Sequence, residues 1–78
     1  MLSQQVTDIL AEILGIDNED ITLQTALAGS SGIKPVDLAK LVIECEQNFR
    51  ITIHDEDVHT FKTVSDLVDY IEKAKTDR

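Results

Sequence analysis

Residues 33–49 read IKPVDLAKLVIECEQNF, and the spacing of apolar residues within them decides how the chain folds. Leu38, Leu41, Val42, Cys45 and Phe49 recur at i, i+3, i+4, i+7 and i+11, which places them within about 100° of one helix face. That arc is expected to face a core. Val36, Ala39 and Ile43 form a second stripe at i, i+3 and i+7, pointing roughly 130° away from the first. A chain of 78 residues has little material with which to cover both stripes. The second stripe is therefore read as a ligand-facing wall or a surface for a partner.

Outward from this helix, Pro35 suits a first helical position, where its missing N–H would have no intrahelical acceptor. The predicted helix covers about 34–49. Upstream, Val6, Ile9, Leu10, Ile13 and Leu14 keep helical spacing behind Ser3, a predicted N-cap. Gly15 fits the left-handed position that ends such a helix, giving a first helix at about 3–14. Residues 15–32 form a long connection, but Ile16, Ile21, Leu23 and Leu27 recur along it. It is expected to pack on the bundle, with a short helical turn near Leu23–Ala28 and its loosest point in AGSSG, residues 28–32.

Downstream, Arg50-Ile51-Thr52-Ile53 alternates like a strand but has no partner strand, so it is read as an extended connector. His54 to Val58 suggests one short helix, near 55–60, with acidic residues favoured at its N-terminal end. Thr63 and Asp66 approximate a capping box, and Val64, Leu67, Val68 and Ile71 stripe a last helix at about 64–74. The expectation is a single all-α domain over residues 1–78: a four-helix bundle with a long first loop.

Composition narrows the function. A net charge of −8 argues against nucleic acid and anionic membrane as partners and favours protein surfaces. The apolar runs are too short to span a bilayer. MLSQQVTDIL lacks the basic start and apolar block of a secretory signal, and one cysteine allows no internal disulfide. Both point to the cytoplasm, and a monomer is expected. Asp17, Asn18, Glu19 and Asp20 lack the glycine and distal glutamate of a calcium loop, so they are read as a solvated turn and no metal is expected. Cys45 falls on the core stripe, and His54 and His59 match no zinc spacing and have no nucleophile nearby in sequence. An enzyme is not expected.

The order of elements resembles the acyl carrier proteins, small acidic four-helix carriers of fatty acid and polyketide synthesis. Phe49, Ile53, Asp55-Glu56-Asp57, Thr63-Val64 and Asp69-Tyr70-Ile71 look like that family's C-terminal pattern. Leu14-Gly15, the acidic loop and Ile21-Thr22 resemble the end of its first helix. The pattern lies over residues 3–74 without a gap.

In the family, an Asp-Ser-Leu triplet opens the second helix, and its serine is esterified by 4′-phosphopantetheine. Here the triplet falls on Lys34-Pro35-Val36, with Gly32 matching the glycine before it. A proline ring offers no nucleophile, so the resemblance with this departure implies a carrier-like protein without a cofactor, acting as a protein-interaction adaptor. The alternative is a functioning acyl or peptidyl carrier loaded at Ser30 or Ser31, the nearest hydroxyls. Lys34 and Lys40 also stand where the family usually has carboxylates. Against Asp37, Glu44 and Glu46 they leave residues 34–48 with a local sum of −1. Val36, Ala39 and Ile43 match the family's apolar docking positions, so Val36, Ala39, Lys40 and Ile43 are the expected partner-binding residues. The expected partners are biosynthetic or modifying enzymes, in a fatty acid, polyketide or specialised peptide pathway.

Overall fold

Four helices in chain order, α1 (Leu2–Leu14), α2 (Pro35–Phe49), α3 (Asp55–Val58) and α4 (Val64–Thr76), make up the computed structural model, which describes residues 2–30 and 32–76. The all-α bundle expected from the spacing is the fold observed. Val6 and Leu10 of α1, Leu41 and Cys45 of α2, and Val64, Leu67 and Ile71 of α4 are completely buried against one another. Burying side chains of this kind is worth about 1.5–3 kcal/mol each, which offsets the backbone ordering that helices require.

Two helix ends share one device. Gly15 closes α1 in a left-handed conformation (φ 70°), and the amides of Gly15 and Ile16 both donate to the Ala11 carbonyl. Arg50 closes α2 in the same conformation (φ 54°), with its own amide and that of Ile51 donating to the Glu46 carbonyl. Glycine adopts this backbone freely and arginine does not, so α2 ends at a cost that its packing must cover. Below that end, the Lys75 ammonium sits 5.5 Å from the centre of the Phe49 ring.

The long first connection is sewn to the start of α4. The amides of Leu27, Val64 and Ser65 donate to the carbonyls of Lys62, Thr25 and Leu23 at 2.8, 3.0 and 2.9 Å, around an isolated antiparallel bridge between Ala26 and Thr63. Ile21 and Leu27 drop into the core from it. The connection packs on the bundle as its apolar residues imply, with two corrections. Its helical turn is a 3₁₀ turn at Asn18–Asp20, and Leu23–Ala28 is bridged to Thr63 instead. The reason is backbone pairing: the Thr25 amide closes a single turn on the Thr22 carbonyl, and residues 23–27 then bond across to residues 62–65 instead of continuing as a helix.

Smaller corrections concern element ends. Ser3 lies inside α1, which begins at Leu2, so it is not the cap. Lys34 is the N-cap of α2 and Pro35 its first residue; α3 stops at Val58, and α4 runs on to Thr76. Asp66 does perform half of the capping box, accepting the Thr63 amide at 3.2 Å and that of Lys62 at 2.9 Å.

Candidate functional site

The outer face of α2 is bare. Val36 is 58% exposed and Ile43 51%, and Ala39 and Lys40 between them are exposed as well. These four expected partner residues therefore share one solvent face. On the other side of the helix, Leu41, Val42, Cys45 and Phe49 are buried. Leu38 departs from the expected core stripe. It is only half-buried, because it stands at the edge of a groove where no other element covers it fully.

That groove, about 850 Å³, runs between α2 and the 53–59 segment. Leu38, Ala39, Val42 and Ile43 form its α2 side, Leu27 and Ile33 its upper end, and Ile53 and Val58 its far wall. Glu46, Asp55 and His59 supply the polar rim. Such a lining suits an apolar chain with a polar end. Ile43 is also part of a shallower depression between α1 and α2, with Ile9 and Ile13, so it forms the ridge between the two. Spacing alone pointed to Ile43 and Ala39 but missed Glu46, Asp55 and His59, whose roles depend on where the connector after Phe49 folds back.

The start of α2 is tightly built. The Lys34 carbonyl accepts the amides of Asp37 and Leu38 at 3.0 and 2.9 Å, and Asp37 sits in the first turn, where the helix dipole favours a carboxylate. Just before it, the Gly32 amide donates to the Gly29 carbonyl at 3.1 Å. A Cβ on Gly32 would meet the Ala28 backbone at 2.6 Å, so only glycine allows this close turn. Ser30 is exposed on the turn, outside the helix, and Ser31 lies outside the described residues. From Ile33 to Leu38 no side chain carries a hydroxyl. The head of α2 therefore does not fit a serine-linked group, and Pro35 takes part only as a groove-lining ring.

Burial pushes the Cys45 thiol up to about 12, helped by the neighbouring Glu44 carboxylate, which leaves it an inert core group. Burial, followed by the hydrogen bond to Asp57, holds the Tyr70 phenol above its ordinary value. His54 and His59 are both exposed. Among the described residues, no group of three or more His, Cys, Asp or Glu side chains is placed to hold a metal ion. None of the described helices is long and apolar enough to cross a membrane.

Residues 4–71 match the family model described as the phosphopantetheine attachment site. The chain is 38% identical over 73 residues to the acyl carrier protein of Aster yellows witches'-broom phytoplasma, covering 94% of this chain and 96% of that one. It is 37% identical over 71 residues to the acyl carrier protein of Syntrophobacter fumaroxidans, covering 91% and 88%. These matches overturn the expectation of a protein with no cofactor. The matched family is defined by 4′-phosphopantetheine, and the match runs through Pro35. Carrier proteins present cargo to enzymes and are not enzymes themselves. With the family model spanning most of its length and full-length relatives at this identity, the chain belongs to the acyl carrier protein family.

Proposed function

We propose that this chain is a carrier-type module of a cytoplasmic biosynthetic pathway, working by docking on its enzymes through Val36, Ala39, Lys40 and Ile43. The groove beside that face receives the apolar part of the cargo. The observation that supports this most is the exposure of Val36 and Ile43 on a helix whose other face buries Leu41, Val42, Cys45 and Phe49 in the core. Apolar side chains held rigidly in water, next to an apolar groove, are what a recognition surface requires. Lys40 gives the centre of the face a positive charge on a chain of net charge −8. It favours partners that present an acid there, in place of the purely basic surface that an acidic helix would attract.

The test uses the purified chain, coenzyme A and a broad-specificity phosphopantetheinyl transferase, read by intact mass and peptide mapping. The carrier reading expects a gain of one phosphopantetheine on a residue outside the head of α2, with Ser30 and Ser31 the nearest hydroxyls, slowed at least tenfold by Ile43→Glu on the docking face. An unmodified wild type after prolonged incubation overturns the carrier reading. Modification at an unchanged rate in Ile43→Glu overturns the assignment of the face for this enzyme.

A further inference from the structure

The far wall of the groove is anchored at its ends by buried Ile53 and Phe61 and has less to hold it between them. Its helix, α3, is four residues long and buries none of them. A helix of one turn does not persist on its own, since nucleation costs more than so few bonds return. It also carries three consecutive carboxylates, Asp55, Glu56 and Asp57, whose mutual repulsion opposes a compact turn. Ile53 anchors the preceding connector in the core, at 5% exposure. Val58 packs against the core and Phe61, just past α3, is buried at 1% exposure, and two side-chain hydrogen bonds add to these apolar holds. At one end, the Ile53 amide donates to Glu46 Oε2 of α2 at 2.8 Å. At the other, the Tyr70 hydroxyl of α4 donates to Asp57 Oδ2 at 2.9 Å. The Tyr70 ring is itself fixed edge-on against buried Phe61, with centroids 5.3 Å apart, so the hydroxyl is delivered from a rigid base.

We propose that Glu46 and Tyr70 are positioning residues, paired tethers that hold α3 as the movable wall of the groove and set the groove's width. The tethers come from different helices and grip opposite ends of the wall. Releasing one leaves the other as a pivot, and releasing both leaves the wall held only by its apolar contacts at Ile53, Val58 and Phe61. Glu46 also lines the groove, so a cargo that enters there displaces or recruits the same carboxylate that holds Ile53. The width-setting role rests on the groove being the apolar cargo site proposed above.

Amide hydrogen exchange over residues 53–58, together with binding of the fluorescent apolar probe N-phenyl-1-naphthylamine, tests the two parts separately. Glu46→Ala and Tyr70→Phe should each speed exchange there by roughly three- to tenfold, the factor that one net hydrogen bond supports. Amides within α1 and α4 should be unchanged. Tyr70→Phe keeps the ring on Phe61, and Glu46→Gln, which retains an acceptor oxygen, should restore most of the protection lost in Glu46→Ala. The double variant should exceed either single one and shift probe affinity at least threefold. Exchange at 53–58 that is unaltered, or that rises only in step with α1 and α4, overturns the tethers and leaves the groove reading standing. Faster exchange with no probe bound by any form overturns the groove reading and the width-setting role with it.

Discussion

The two faces of α2 are alike in chemistry and opposite in fate. Leu41 and Cys45 on the inner face are completely buried, whereas Val36 and Ile43 on the outer face keep more than half of their surface in water. Hydrophobicity does not separate them; geometry does. Both α1 and α4 lie on the inner side, with Leu27 of the first connection buried there too, and nothing described covers the outer side. The apolar stripe that a small fold leaves uncovered is where binding can occur without a cost in stability. The difference between the faces can be broken at either end.

The largest effect belongs to the inner face. Leu41→Ala should cost about 3 kcal/mol, within the range for deleting a fully buried leucine whose surroundings relax only in part. Leu38→Ala, at the half-buried groove edge, should cost about 1 kcal/mol, because solvent fills the space without a sealed void. Urea unfolding midpoints of the two variants check this. Equal losses would mean that the groove closes over Leu38 in solution and that the inner face is wider than described.

An intermediate effect comes from Cys45 in the middle of the same face. Its thiol is raised to about 12 from an ordinary value of 9, so the folded chain keeps a proton that the unfolded chain gives up first. Stability from this source is fully present below pH 9 and falls as pH rises from 9 toward 12. Tyr70, also raised, acts in the same direction from its ordinary value of 10 upward. Unfolding measured at pH 8, 9, 10 and 11 should show this decline, and Cys45→Ala should flatten its first part. A wild-type curve that is level to pH 11 would show that the thiol is not enclosed.

Much of this arrangement could be read from residue order. The core stripe on residues 33–49, Leu38 apart, a glycine at position 15 and paired threonine and aspartate at 63 and 66 are local signals, and each packs or caps where spacing predicts. The first connection was less legible. Its bridge to Thr63 depends on backbone groups of residues distant in sequence, which no side-chain pattern announces. Glu46 was missed for a similar reason: a half-buried carboxylate in a helix reads as one more surface charge until the connector returns to offer the Ile53 amide. The cofactor expectation failed differently. It gave the single residue Pro35 more weight than a pattern matched along most of the chain, and family membership is carried by the whole pattern.

The smallest effect, and the sharpest test of the comparison, is Ile43→Ala. At 51% exposure the side chain loses little by truncation, since no sealed cavity forms and about half of its transfer free energy was never gained. Alanine also favours a helix over β-branched isoleucine by a few tenths of a kcal/mol, because isoleucine loses side-chain freedom against the preceding turn. The two terms oppose each other, so the net change should lie within about 0.5 kcal/mol of zero. Leu41→Ala, two residues away on the same helix, supplies the contrast measured under identical conditions. If Ile43→Ala instead costs about 2 kcal/mol, the outer face is covered in solution and the docking assignment of Val36, Ala39, Lys40 and Ile43 falls with it. If stability holds while Ile43→Ala slows transfer by the phosphopantetheinyl transferase, side chains that contribute almost nothing to the fold are the ones a partner reads.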